Sequence, residues 1–234
     1  MKKYPKIDSI FKRCLEPRNP HRGKLINGDW SRPEFDLLQN IPWEATEKID
    51  GTNIRVSWDG VQVQFAGRTD EAQIPPKLLT RLNELFTVDK FKQHEMVPMV
   101  IFGEGYGNKI QKAGRDYIPD GVDFVTFDVW CGDLWLETGN VIDIASNLGL
   151  DTVRYIPFVT LHDALKFAEE GIPSAQGCAE NAEGLVLRAP FGMLTRRGSR
   201  IITKIKTKDF TRGMITIDEH KAILKAKEIA PREQ

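Results

Sequence analysis

Hydrophobic positions in the first half of the chain recur at every second residue. In "NIRVSWDGVQVQF", Ile54, Val56 and Trp58 alternate with polar neighbours, an Asp59-Gly60 pair interrupts, and Val61, Val63 and Phe65 resume the alternation. That pattern predicts a β-hairpin turning at Asp59-Gly60. The period then lengthens: Leu78, Leu79, Leu82, Leu85 and Phe86 in "PPKLLTRLNELF" fall at helical spacing behind two prolines, which predicts a helix. Further apolar runs at "VPMVIFGEG", "DFVTFDVW" with "LWLE", "RYIPFVT", "EGLVLRAP" and "RIITKIK" predict strands. Helices are expected at "NVIDIASNLG", at "TLHDALKFAEEG" with Thr160 as cap and Gly171 as stop, and at "IDEHKAILKAKEIA" before a polar tail. Antiparallel runs of strands with helices between them predict an α+β fold rather than a doubly wound parallel sheet. With no repeat, low-complexity stretch or Gly/Ser linker, the expectation is one domain spanning residues 1–234.

Several polar residues break this pattern at strand ends. Lys48 in "TEKIDGTN" closes an apolar strand and is followed by Asp50 and Gly51. By itself such a lysine reads as a surface residue whose stem packs while its ammonium stays wet. "FAGRTD" delivers Arg68 after the second hairpin strand, "IFGEGYG" places Glu104 between glycines, and "AEGLVLRAP" opens a strand with Glu183. A glycine beside a carboxylate lets backbone approach a ligand, though it also serves an ordinary turn. In "IITKIKTKDF", alternation puts Lys204 and Lys206 with Ile202 on one face, and Ile201, Thr203 and Ile205 on the other. Two ammonium groups on one face repel unless an anion lies between them. A phosphate fits that position better than the alternative, an edge strand guarded by lysines.

Composition narrows the function classes without choosing one. Among 234 residues, 41% are hydrophobic and 28% charged, and the formal net charge is zero. No global field therefore announces a polyanion or a membrane, and such a partner must meet a local patch. Two patches are present: Met1 to Lys24 carries eight Lys/Arg against two acids, and Leu194 to Gly213 carries seven against Asp209. Cys14, Cys131 and Cys178 are far apart with no CxxC pair, which argues against structural zinc and fits a reducing compartment. The N-terminus lacks the apolar run of a signal peptide and no stretch approaches membrane-spanning length, so a cytoplasmic protein without membrane contact is expected.

Taken in order, Lys48, Arg68, Glu104, Phe127 with Asp128, Glu183, Lys204 and Lys206 form a series. It resembles the motif order of the covalent nucleotidyltransferase superfamily, which includes polynucleotide ligases and mRNA capping enzymes. "KIDG" is similar to the nucleophile motif, "IFGEGYG" to the third motif, "FVTFDVW" to its aromatic companion, "EGLVLR" to the fourth and "KIKTKDF" to the fifth. The likeness covers residues 46 to 210, and within the superfamily it is nearest to the ATP-dependent RNA ligases of the phage and RNA-editing type.

The resemblance implies a nucleotidyltransferase domain of ATP-grasp-like ligase adenylation type, with antiparallel sheets flanked by helices. It implies joining of RNA 5′-phosphate and 3′-OH ends, with ATP and Mg²⁺ or Mn²⁺ as cofactors. Lys48 would attack the α-phosphorus to form lysyl-AMP. A lysine of ordinary pKa, ~10.4, must be made neutral for this, and burial with Arg68, Lys204 and Lys206 nearby is expected to do so. Lys204 and Lys206 would stabilise the α-phosphate, and Glu183 would hold the metal. Glu104 would accept from the ribose, Phe127 would stack on adenine, and Arg68 would bind the 5′-phosphate. Glu47 and Asn53 would contact the purine or ribose, and Asp50 would orient backbone or metal waters. Phe127 has a plain alternative as a core residue sharing a face with Val125 and Val129. "GEGYG" lacks the spacing of a dinucleotide loop.

After Phe210 only 24 residues remain, too few for the roughly 50 that a further independent module needs. The expectation is a minimal adenylylation domain without a C-terminal OB-fold or helical domain. A capping guanylyltransferase or small DNA ligase is the alternative within enzymes, and a non-catalytic nucleic-acid-binding relative the alternative outside them.

Overall fold

The computed structural model describes residues 1–229. In chain order the elements open with β1 (Asp8–Ser9), β2 (Phe11–Arg13), β3 (Leu25–Trp30), α1 (Pro33–Leu37), β4 (Trp43–Lys48), β5 (Thr52–Trp58) and β6 (Val63–Ala66). They continue with α2 (Pro76–Leu85), α3 (Val88–Gln93), β7 (Met99–Gly107), α4 (Gly114–Tyr117), β8 (Val122–Cys131), β9 (Leu134–Trp135) and α5 (Thr138–Leu148). The last are β10 (Tyr155–Val159), α6 (Leu161–Glu170), β11 (Gly184–Arg188), β12 (Ile202–Lys206), α7 (Thr207–Thr211) and α8 (Ile217–Ile229). This is the α+β class that the sequence predicts; the predicted polar tail lies outside the described residues. Among those residues, no helix is long and apolar enough to cross a membrane.

The chain gathers into two compact units, each built from separated segments. The first comprises Met1–Lys6, Thr46–Ile156 and Pro173–Glu183; the second comprises Ile7–Ala45, Pro157–Ile172 and Gly184–Gln234.

In the first unit the sheet order is β6-β5-β7-β8-β9, with β5 antiparallel to both neighbours. One face is its main core: Ile54, Val56, Trp58, Ile101, Phe124 and Val129 meet Leu78 and Leu82 of α2, Phe91 of α3 and Val141 and Ala145 of α5. Local signals start and stop these helices. Pro76 opens α2 with its φ already helical, the Thr87 side chain accepts from Lys90 N at α3, and Gly149 ends α5 in the left-handed region.

Two details differ from the sequence expectation. The hairpin does not turn on Asp59-Gly60 alone: the Asp59 carboxylate accepts from Val61 N and Gln62 N, both at 2.8 Å. The loop is thereby fixed at four residues between the paired Trp58 and Val63, and Val61 lies exposed outside the strand. The glycines flanking Glu104 also have a different use. A Cβ at Gly103 would fall 2.1 Å from the Phe124 ring, and one at Gly105 would fall 2.3 Å from Leu78. They admit core side chains on the helix face of β7, while Glu104 points to the other face.

In the second unit the sheet order is β1-β12-β11-β4-β10, where β4 and β10 contain residues of both units. β11 and β12 are antiparallel and β1 joins β12 in parallel. Thr160 and Asp163 form a reciprocal capping box at α6, as the predicted cap requires. Cys14, Ile26 and Ile215 form a small core against which Ile223 of α8 packs.

The amino-terminal basic stretch is not one free patch. Lys2 lies 3.5 Å over the Trp130 ring and Lys3 lies 3.0 Å from Asp70. In the second unit Lys12 pairs with Asp29 at 2.7 Å, and Arg13 forks onto the buried Asp209 at 2.9 and 2.7 Å.

Candidate active site

The open face of the first unit's sheet carries the candidate chemistry. Asn53 pairs in register with Glu104, and Arg55 with Phe102, so alternation places these four on the face away from the helices. β8 contributes Phe127 through a bulge. Phe102 is opposite Asp128 and Gly103 opposite Thr126, which leaves Phe127 as the extra residue. The bulge reverses the alternation, so Val129 enters the helix-side core while Val125 belongs to a second cluster with Ile49, Tyr106, Tyr117 and Val153. The predicted common face of Val125, Phe127 and Val129 is therefore wrong. Phe127 is half-buried against the second cluster, partly a packing residue and partly open.

Lys48 ends β4 with its side chain 21% exposed. Its Nζ lies 2.6 Å from the Glu183 carboxylate, and Glu183 N donates to the Lys48 carbonyl at 3.1 Å. The sequence expectation surrounds Lys48 with cations; its close charged partner in this unit is an anion.

Glu104 stands in the same electrostatic neighbourhood. Burial pushes its carboxyl up to about 7, Lys48 pulls it down, Glu183 and Asp50 push it up further, and a bond from Gly51 N pulls it down. Gly51 is required here because a Cβ would sit 2.3 Å from Gly105 O and 2.7 Å from Glu104 Cγ. Asp50 N donates to the Tyr117 hydroxyl at 3.2 Å, and burial holds that phenol up at about 12. Beside Glu104, the Asn53 Oδ1 is buried with no hydrogen-bond partner. A buried amide oxygen left unpaired is costly unless a ligand supplies a donor.

Glu47, the neighbour of Lys48, has the opposite orientation and a structural occupation. Its carboxylate accepts from Ser174 Oγ at 2.5 Å and from Ala175 N at 2.9 Å, with Arg154 at 3.8 Å. Segment 173–183 is thus tied to β4 twice, through Glu47 near its start and Lys48 at its end. Arg68 is exposed just after β6. Lys204 and Lys206 lie in the second unit on β12, in register with Val186 and Gly184; both are half-exposed while Thr203 and Ile205 are buried, the alternation the sequence predicts.

Sequence reasoning missed the amino-terminal segment. The Tyr4 hydroxyl donates to the buried Asp128 at 2.9 Å, and its ring lies 5.1 Å from both Phe102 and Phe127, edge-on to the latter. Buried Arg55 anchors the same segment through the Met1 carbonyl at 3.3 Å, and holds Gly67 O at 2.6 Å and Asp70 at 2.8 Å. The one available signal was an aromatic residue set among lysines in "KKYPK".

Among the described residues, no three His, Cys, Asp or Glu side chains stand close enough to hold a metal by themselves. A magnesium-like ion does not need such a cage, since it keeps waters and takes one or two carboxylates with substrate phosphates. The surplus of Glu104, Glu183 and Asp50 over Lys48 fits a hard cation of that kind.

The model of the RNA ligase family matches residues 41–206. The chain is also similar to solved structures of Naegleria gruberi RNA ligase. A mutant apo form superposes with a TM-score of 0.61 at 17% identity, over 77% of this chain and 54% of that one. The form with PPi gives 0.60 at 18% identity, over 95% and 65%, and a mutant with ATP and Mn gives 0.60 at 17%, over 91% and 64%. At these identities the likeness is one of fold, and this chain spans about half the length of the first of them. No curated protein matches it in sequence.

Proposed function

The chain belongs to the RNA ligase family, and from that premise we propose that it is an ATP-dependent RNA ligase, joining 5′-phosphate and 3′-OH ends through lysyl-AMP and RNA-adenylate. The observation that carries the proposal is the Lys48–Glu183 pair at 2.6 Å on the same unit as Glu104 and the unpartnered Asn53 oxygen. A lysine held as an ion pair is not a nucleophile. Lys48 must lose a proton and leave Glu183 before it attacks the α-phosphorus, and the same event releases Glu183 for other work. Attack forms the N–P bond and breaks the bond to pyrophosphate; Lys48 then carries AMP as a phosphoramidate.

Mg²⁺ or Mn²⁺, held by Glu183 with water and phosphate oxygens, would supply charge neutralisation at the α-phosphate; fold relatives solved with ATP and Mn support that choice. Lys204 and Lys206 of the second unit present two ammonium groups on one face, which suits them to a phosphate. Asn53 and Glu104 receive the nucleoside, Glu104 by accepting from a ribose hydroxyl and Asn53 by accepting a hydrogen bond at Oδ1. Phe127 offers its open side to adenine. Arg68, exposed and forked, suits the incoming 5′-phosphate, which next attacks lysyl-AMP and takes the adenylate; the 3′-OH then displaces AMP. Glu47 is withdrawn as a nucleotide contact, because its oxygens are engaged by Ser174 and Ala175.

The test is a panel of 5′-phosphorylated RNA and DNA strands, nicked and single-stranded, with ATP or GTP and Mg²⁺. Adenylylated enzyme, adenylylated strand and sealed product are scored separately. Sealing of RNA with ATP is expected; guanylylation alone, or strand binding without any covalent adduct, overturns the proposal.

A further inference from the structure

The β11–β12 hairpin carries an ordered extension, residues 189–201, with an unusual surface. Its backbone is tied across and along: Ala189 N to Ile201 O at 3.0 Å, Ile201 N to Met193 O at 3.3 Å, Thr195 N to Ser199 O at 2.7 Å and Gly198 N to Thr195 O at 2.9 Å. A bridge links Leu194 and Arg200. The Thr195 hydroxyl accepts from Arg197 N and Ser199 N at 3.3 and 3.2 Å. The extension is a built finger: Ala189 and Ile201 are buried at its base, and yet the apolar side chains between them point to solvent. Phe191 is 88% exposed, and Met193 and Leu194 are exposed beside it.

Phe191 also has φ +57°, the left-handed region, where a bulky side chain is an outlier. The fold could have placed glycine there at less cost, as it does next door at Gly192. Strain of this kind, spent on presenting a ring to water, points to a use for the ring. Arg196 and Arg197 are exposed at the finger's tip. The finger's base at Arg200 lies four residues before Lys204 of β12, at most about 13 Å of extended chain at ~3.3 Å per residue.

We propose that this finger is a strand-binding element: Phe191 stacks on an unpaired base of the RNA substrate, while Arg196 and Arg197 take the flanking phosphates. An exposed ring with exposed arginines on the same finger is the combination that holds single strands, where the ring serves any base and the arginines track the backbone. Charge complementarity favours this polyanion over an apolar partner. The proposal rests on the RNA-ligase reading and adds to it a site that the ligase motifs do not include.

The experiment measures binding of a fluorescent single-stranded RNA across a salt titration. Phe191→Ala weakens binding about fivefold to a hundredfold with the salt slope unchanged, and Phe191→Trp retains affinity. The double variant Arg196→Ala with Arg197→Ala lowers the slope by about 1.4, at about 0.7 per phosphate contact. Phe191→Gly separates binding from folding: relieved of the left-handed strain, it melts at the wild-type temperature or slightly above it, while losing RNA affinity. Wild-type affinity in Phe191→Gly overturns the proposal, and so does a self-association, read by sedimentation, that the variant loses while RNA binding stays intact, since the finger then serves a second copy. Wild-type protein that binds RNA through Phe191 but takes no label from ATP removes the ligase reading and leaves the finger. Labelling with RNA affinity indifferent to Phe191 does the reverse.

Discussion

Glu47 and Glu104 belong to one unit and sit on either side of the Lys48 motif in the chain, but their surroundings differ in kind. Glu47 is buried among a hydroxyl, a backbone N–H and a guanidinium, so its charge is paired and both its oxygens are engaged. Glu104 has the bond from Gly51 N, one cation and two other carboxylates in its field, and a carboxyl raised to about 7. The first arrangement stabilises a loop; the second is costly without a ligand and becomes favourable with a ribose or cation present. Residue type does not separate the two, whereas satisfaction of the buried charge does.

The strongest way to break this comparison is to remove each carboxylate in turn. Glu47→Ala leaves Ser174 Oγ and Ala175 N without their acceptor and should cost on the order of 3 kcal/mol in stability, read as a lowered denaturation midpoint. Glu104→Ala should keep its midpoint within about 1 kcal/mol and lose lysyl-AMP formation by tenfold or more. If the two variants exchange these phenotypes, the distinction fails.

Asn53→Ala sharpens the comparison at smaller scale. Because Oδ1 makes no bond in the ligand-free protein, truncation should leave stability unchanged or slightly improved. It should weaken ATP binding about two- to tenfold, the worth of one hydrogen bond of about 0.5–1.5 kcal/mol. Calorimetric titration with ATP measures it; unchanged affinity removes Asn53 from the site.

The smallest effect is a drift with pH. Glu104 titrates near 7 when folded and near 4.5 when unfolded, so the folded state holds the extra proton between those values. Stability from this group therefore falls as pH rises through that window. Glu104→Gln cannot ionise, so its melting temperature should rise relative to wild type from pH 4.5 to 7 and level off above. A difference that is flat with pH contradicts the raised carboxyl.

Much of the fold was legible because its signals are local. Pro76, Thr160 with Asp163 and Gly149 mark helix ends by their own chemistry, and Ile54, Val56 and Trp58 share a face as their spacing requires. Non-local signals were not legible. The Phe127 bulge exists only in the pairing of β7 with β8, and one extra residue sends Val129 to the other core. Val61 was lost to a side-chain turn made by Asp59. In the candidate site, Lys48 and Glu104 were singled out by motif order and Asn53 by its place after "KIDG", but Glu183 as the partner of Lys48 and Ser174 as the partner of Glu47 depend on where segment 173–183 returns to β4. Tyr4 on Phe127 was invisible for the same reason, a contact between residues from distant parts of the chain.

The central claim is that Lys48 is the nucleophile of a covalent adenylyl transfer, and intact-protein mass spectrometry after incubation with ATP and Mg²⁺ tests it most directly. Wild-type protein should gain the mass of one AMP in an adduct stable to alkali and released by acid, as a phosphoramidate is, and Lys48→Ala should gain none while keeping its fold. An adduct of the same mass on Lys48→Ala, or a wild-type chain that binds ATP and remains unmodified, would contradict it.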